Sequence, residues 1–286
     1  FPWARGYGAH LGRFMQASRE HTEILLIGGE LPKIVLACQD VLLAQPKPNV
    51  FRRGGMLVRI MRGDAASMRE VQDKTPGRLN AVEVTQDWLR ILLTDLAAFF
   101  TFNKKAGQWV GADCPPAIAK GLLEMSGSWK LPCLLTITNT PTLRADGTVL
   151  EVTGYDAATA VYFDPGNVAF PEVPEGPTRD AALAARDALM FVFKDFPFAT
   201  AEDRSVALAA VLTALVRPAL RAAPLFAFTA PKMASGKSLL ADLVALIATG
   251  RVGRAMPQGK DEEEDRKRLL AILKDGDPIA VIDNVE

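Results

Sequence analysis

Apolar positions along the chain switch between two periods, and each switch marks an element. Over residues 30–43 they recur every three to four positions, which predicts a helix stopped by Gln45-Pro46-Lys47-Pro48. Residues 50–61 hold two short β-prone pieces around Gly54-Gly55 and read as a hairpin. The helical period returns over 85–100, where Thr85 can cap and Trp88, Ile91, Leu92, Leu96 and Phe99 form one apolar stripe. A strand is expected over 108–111. A short helix should follow Cys114-Pro115-Pro116, because proline's fixed φ and missing N–H suit a first helical turn. Residues 132–140 alternate as a strand does. Asp146-Gly147 predicts a two-residue hairpin turn between 142–143 and 149–152, and 153–164 continue as strand and loop.

A proline-rich, acidic stretch then interrupts both periods. Pro171, Pro174 and Pro177 with Glu172, Glu175 and Gly176 read as a linker over 171–177. Beyond it the pattern is mostly helical. Helices are expected over 178–193 and 200–216, the second opened by Thr200 and Asp203 in capping-box spacing and closed by Arg217-Pro218. Residues 224–229 form a short apolar strand. A helix over 238–249 should bury Leu239, Leu240, Leu243, Val244 and Ile247, and Gly250 should end it. Another helix, over 261–274, has an acidic first turn followed by a basic one, as the helix dipole favours. An apolar strand over 278–282 ends in Asp283.

These elements predict an α/β chain. A C-terminal domain with a parallel sheet occupies 178–286, with a helical lead-in over 178–217 and a core over 224–286, and a smaller α+β domain covers 1–170. The chain opens on Phe1 and stops at Glu286, just past an apolar strand. The expectation is therefore a fragment, truncated after that strand.

Composition changes this picture little. The 286 residues carry a formal net charge of zero, so overall charge points to no polyanion. No stretch reaches the length of uncharged apolar sequence that spans a bilayer, and no membrane partner is expected. Cys38, Cys114 and Cys133 are widely spaced and match no zinc-ligand or disulfide framework, which is the cysteine usage of a cytoplasmic protein.

The chemistry gathers around Gly236-Lys237-Ser238, the end of a GxxxxGK[ST] phosphate-binding pattern. In that pattern successive backbone N–H groups and a helix N-terminus cradle phosphates, the lysine reaches the β- and γ-phosphates, and the hydroxyl ligates Mg²⁺. The tripeptide alone arises by chance in roughly one chain of this length in seven. Its context is more selective: a strand before it, an apolar helix after it, and an apolar strand ending in an acid downstream. The ATP-binding loop is Pro231, Lys232, Met233, Ala234, Ser235, Gly236, Lys237 and Ser238, with Pro231 where the pattern has its first glycine. Ser238 and Asp283 are the candidate Mg²⁺ residues, and Asp283 corresponds to the Walker B aspartate. Asn284 follows it where ATPases often carry an acid, and Glu286 is a candidate base, so Asp283, Asn284 and Glu286 are the candidate catalytic residues. A lysine in the first turn of a helix opposes the dipole, which argues for an anion beside Lys237.

The stretch Asp195-Phe196-Pro197-Phe198, Asp203-Arg204, Leu212-Thr213-Ala214, Pro224-Leu225 and the loop at Gly236 resembles the ATPase region of phage and prophage primase-helicase proteins. These are related to the superfamily 3 and AAA+ replicative helicases. The acidic-to-basic segment 261–270, Ile282-Asp283-Asn284, Pro141-Thr142-Leu143-Arg144, Asp146-Gly147 and Gly154-Tyr155-Asp156 extend the resemblance over about 24–286. It implies ATP hydrolysis coupled to movement on single-stranded or forked DNA, in a homo-oligomeric, hexameric ring. Glycine is more frequent in the family where Ala234 stands. The family's arginine finger and sensor would lie past Glu286, so the fragment alone is expected to be inactive. Two rival readings are another P-loop motor, of packaging or clamp-loader type, and a nucleotide-binding, DNA-associated scaffold that does not hydrolyse ATP.

The first domain offers no catalytic constellation. Lys47, Arg52, Arg53, Arg59, Arg62, Arg69, Lys74 and Arg78 stand against three acids over 47–78 and suggest a basic surface for DNA. Trp88 reads as core, Trp109 and Trp129 fall near loops, and Arg144 with Asp146 reads as turn chemistry.

Overall fold

A computed structural model describes residues 21–62, 79–232, 235–275 and 278–283. The chain is mixed α/β, with small sheets of two or three strands. Backbone packing divides it into two compact units, one from the described parts of Phe1–Pro46 and Val84–Leu131, the other from Lys47–Glu83 and Pro132–Glu286. The linker expected over 171–177 falls inside the second unit.

The first unit starts with β1 (Thr22–Leu26) and α1 (Leu31–Leu43), which carries a proline in its first turn. After the excursion of 47–83 come α2 (Gln86–Leu96), β5 (Ala97–Asn103), β6 (Gln108–Ala112) and α3 (Pro116–Leu123). The sheet order is β1-β5-β6, parallel then antiparallel. Ile24 and its register partner Phe99 are buried on one face, where α1 packs on β1 and α2 on β5. Thr85 caps α2 by accepting the Trp88 N–H, as expected. The expected helix over 85–100, however, stops at Leu96. Residues 97–103 are rich in phenylalanine and find hydrogen-bonding strands on both sides, so the ladder wins over helix propagation. The buried positions of α2 are Leu89 and Leu93, while Ile91, expected in the apolar stripe, is exposed. Trp129 is buried and donates its Nε1–H to the Leu122 carbonyl at 2.7 Å.

Cys38 and Cys114 are fully buried free thiols of this unit. Burial pushes the Cys38 thiol up to about 12, reinforced by Cys114. Burial likewise raises Cys114 to about 11, with Arg90 opposing.

The second unit begins with β2 (Phe51–Arg53), β3 (Met56–Arg62) and β4 (Leu79–Glu83), an antiparallel meander that includes the expected Gly54-Gly55 hairpin. Arg52 ties it to the next segment: its N–H donates to the Pro132 carbonyl, and its own carbonyl accepts the Leu134 N–H. Phe51, Val58, Leu79, Leu134 and Ile137 make the shared core. There follow β7 (Thr136–Thr138), β8 (Thr142–Leu143), β9 (Val149–Leu150), β10 (Gly154–Asp156) and β11 (Val161–Phe163).

The β8–β9 turn is longer than expected. Arg144 N–H donates to Thr148 O and Gly147 N–H to Arg144 O, so three residues form the loop and Gly147 closes it at φ 86°. Arg144 also reaches past the turn. Its Nε and Nη2 donate to Asp156 Oδ1 at 3.1 and 3.0 Å, and that bond holds the Asp156 carboxyl below the usual carboxylate range.

Three helices complete the second unit's apolar cluster. α4 (Arg179–Phe191) and α5 (Ala201–Leu215) pack with α6 (Lys237–Thr249) through Met190, Phe193, Ala207, Ala210, Val211, Leu240 and Val244. The reciprocal capping box of Thr200 and Asp203 opens α5 as predicted. The strand expected over 224–229 is absent as a ladder. Phe226 and Phe228 alternate inward against the helical cluster, giving the segment a strand's period without a strand's pairing. Leu239, expected in the buried face of α6, is exposed. The expected parallel sheet is a two-stranded pair, β12 (Arg254–Pro257) with β13 (Ala280–Asp283), joined through α7 (Glu262–Asp275). No described helix is long and apolar enough to cross a membrane.

Candidate nucleotide site

The site is built outward from Gly236. This residue stands at φ 87°, ψ 8°, a left-handed conformation that costs a side-chain-bearing residue roughly 1–2 kcal/mol. It turns the loop into α6, and its carbonyl accepts the Leu240 N–H at 2.9 Å, the first bond of the helix. A Cβ here would come within 3.4 Å of Phe196 Cε1. Phe196 belongs to an aromatic run with Phe193 and Phe198, centroid spacings 6.2 Å each, which packs into the helical cluster. The aromatic residues of 193–198 are the one sequence signal that could have marked this support.

The N-cap residue of α6, Gly236, has no side chain with which to cap it. The first N–H groups of a helix lack intrahelical acceptors, so those of the first turn are donors directed away from the helix. Lys237 and Ser238 are exposed in that turn. Ser235 Oγ is shielded from solvent and meets no hydrogen-bond partner among the described residues. A half-buried hydroxyl without a partner, a glycine that lets the backbone turn sharply and a lysine at the positive end of a helix fit a phosphate chain. Pro231 and Lys232 are exposed on the approach. Met233 and Ala234 lie outside the described residues.

Asp283 ends β13 and pairs in register with Pro257. Gly253 has Val281 of this strand and Ala245 of α6 as neighbours. A Cβ on it would stand 2.6 Å from Val281 Cγ2, a clash, and 3.5 Å from Ala245 Cβ, an ordinary contact, so Val281 leaves room only for a glycine here. Val281 and Asp283 are two positions apart and share a side of the strand, so Asp283 lies on the side from which Val281 meets Gly253. The fold therefore gathers Ser235, Gly236, Lys237 and Ser238 at one helix start, and puts Asp283 at the carboxyl end of the strand whose Val281 meets Gly253. Asn284 and Glu286 lie outside the described residues. No group of three or more His, Cys, Asp or Glu is gathered for a metal among the described residues. A hydroxyl and one carboxylate, completed by water and phosphate oxygens, is nevertheless a donor set suited to Mg²⁺.

The opposite end of α6 is closed by a polar junction that pattern reading missed. Gly250 ends the helix at φ 71°, as expected. Asn139 N–H donates to Thr249 O at 3.0 Å and Thr140 Oγ1 to Ala248 O at 2.7 Å. Buried Arg251 donates from Nε to Asn139 Oδ1 at 2.7 Å and from Nη2 to Leu79 O at 3.2 Å. Asn139 Nδ2 in turn donates to Asp164 O at 2.6 Å, and Asp164 pairs with Arg62 at 3.1 Å. The arginines expected to form a basic surface over 47–78 are partly drawn into the fold. Arg62 is held by Asp164, and Arg53 donates to Leu135 O at 3.1 Å. Residues 63–78, with Arg69, Lys74 and Arg78, lie outside the described residues.

No family model, curated protein or solved structure matches the chain.

Proposed function

We propose that the second unit binds ATP with Mg²⁺ and hydrolyses it, as the motor of a phage- or prophage-type DNA replication helicase. The observation that carries this is the start of α6: a left-handed Gly236 followed by exposed Lys237 and Ser238, on a helix whose Ala245 neighbours Gly253 beside Val281 of the strand that ends in Asp283. In this reading the N–H groups of the first turn donate to phosphate oxygens. Lys237 neutralises the β- and γ-phosphates, and Ser238 and Asp283 hold Mg²⁺. The bound metal supplies charge neutralisation at the transferring phosphoryl group. Asn284 and Glu286 are the residues in sequence to orient the attacking water. DNA and a hexameric ring belong to the same reading on the family resemblance, and a cytoplasmic location on the cysteine usage.

One observation favours a second reading, a nucleotide-dependent scaffold without hydrolysis. Residues 222–230 lead into the loop without joining a sheet, and Pro231 replaces the pattern's first glycine. The two readings separate in an ATPase assay of the full chain with and without single-stranded DNA, beside Lys237→Ala. DNA-stimulated turnover that Lys237→Ala abolishes supports the motor. Nucleotide binding that depends on Lys237 without any turnover leaves the scaffold. ATP binding indifferent to Lys237→Ala sinks both.

A further inference from the structure

Among the described residues of the first unit, one sheet face carries exposed aromatic side chains. Helices cover the Ile24 and Phe99 side of β1-β5-β6. On the other side, register brings Leu25 beside Phe100 and Phe102 beside Trp109. Phe102 is 47% exposed and Trp109 41%, and their rings meet edge-to-face at 5.5 Å. Just beyond this pair the β5–β6 turn projects Lys104 and Lys105, both exposed. Asn103 Oδ1 accepts the N–H groups of Lys105 and Ala106, and Gly107 at φ 64° closes the turn, so both lysines are carried on an ordered tip. Neither ammonium group is paired among the described residues. No acid occurs between Leu96 and Ala112. The acid on this face, Glu23, is in register with Ala98, at the end of β5 away from the tip. The nearby Asp113 is already paired with Arg90 at 3.6 Å.

We infer that the β5–β6 hairpin binds single-stranded DNA, with Phe102 and Trp109 stacking unpaired bases and Lys104 and Lys105 meeting the phosphates. Exposed aromatic faces beside unpaired cations suit a flexible polyanion that carries π-faces. A protein partner of apolar chemistry would have no use for the two lysines, and duplex DNA would offer the rings no open base. The choice of DNA over RNA rests on the replication-motor reading. The stacking and charge argument does not.

The test is fluorescence anisotropy of a labelled oligo(dT) of about 15 nucleotides, long enough to cover a small single-strand site, titrated with the full chain. Trp109→Ala is expected to weaken binding roughly ten-fold, and Trp109→Phe to restore most of it. Lys104→Gln with Lys105→Gln should reduce the slope of log affinity against log salt by about 1.4, two single-strand phosphate contacts. Absence of oligo(dT) binding at low salt, or binding unchanged in both variants, overturns the proposal. So does self-association, read by sedimentation, that the hairpin variants lose while oligo(dT) binding stays. Tighter binding of oligo(rU) through the same residues overturns the assignment to DNA. Lys237→Ala separates the two proposals: it should abolish turnover yet leave oligo(dT) binding intact, and the hairpin variants should keep basal turnover while losing its stimulation by DNA.

Discussion

The two ends of α6 carry the same device and put it to opposite uses. Each is bounded by a left-handed glycine, Gly236 at φ 87° and Gly250 at φ 71°. At Gly250 the last carbonyls are taken up by half-buried Asn139 and Thr140, beside buried Thr249 and Arg251. At Gly236 the N-cap residue has no side chain to offer, and the lysine and serine that follow are exposed. A helix end that serves only the fold is satisfied from within the chain. One left with outward-facing donors and a cation against the dipole is the end where the proposed ligand would sit. The contrast says which end to mutate for activity and which for stability.

The largest effect should come from Lys237→Ala. ATP affinity is expected to fall roughly a hundred-fold, as for loss of one member of a desolvated charge pair, while the thermal midpoint stays within about 1 °C, since an exposed first-turn lysine holds nothing in the fold. Calorimetric titration beside a melting curve checks both. A large fall in midpoint would break the contrast by making this end structural. Gly250→Ala comes next and should invert the pattern. A Cβ would stand 2.8 Å from Asn139 Cβ at a backbone angle that penalises alanine. A loss of about 2–3 kcal/mol in denaturant unfolding is expected, with nucleotide affinity changed little in the protein that remains folded.

Acid gives a third handle, on the β layer to which Gly250 is anchored. The Asp156 carboxyl is held low by Arg144, so its contribution is present above the unfolded carboxylate value and is lost as pH falls through the folded one. Stability should therefore decline below about pH 4. Asp156→Asn should cost about 2 kcal/mol at neutral pH and flatten that decline, as measured by urea midpoints across the acid range. A decline equally steep in the variant would place the acid sensitivity elsewhere. The smallest effect is Ser235→Ala. Removing a hydroxyl that has no partner should change stability by less than about 0.5 kcal/mol. A larger loss would reveal a structural cap at the end taken here to be open.

Features that depend on near neighbours were legible in the sequence. The Thr200–Asp203 box, the Thr85 cap, the Gly250 stop and the Gly54-Gly55 hairpin all follow from residues a few positions apart. The misreadings arise where distant pairing decides. Residues 97–103 continue a helical stripe on paper but become a strand because β1 and β6 offer ladders on both sides. Residues 224–229 have a strand's alternation, yet Phe226 and Phe228 are drawn to a helical cluster and the backbone pairs with no strand. Local pattern cannot show that Arg251 will meet Asn139 and Leu79, 112 and 172 positions away. The candidate loop residues 235–238 were readable from their motif. The support at Phe196 was marked only by the aromatic run of 193–198, and that at Gly253 not at all, since its neighbours come from a strand still to be made.

The contact around Gly253 also constrains how this sequence can drift. Ala245, Gly253 and Val281 share a space with no room for another methyl group. A lineage that gained an alanine at 253 would have to shed volume across from it, most simply by Val281→Ala. The reverse order, the smaller residue at 281 first, would leave only a small cavity along the way. These positions should therefore change together among descendants of this chain, and the order of their substitutions should run from 281 to 253.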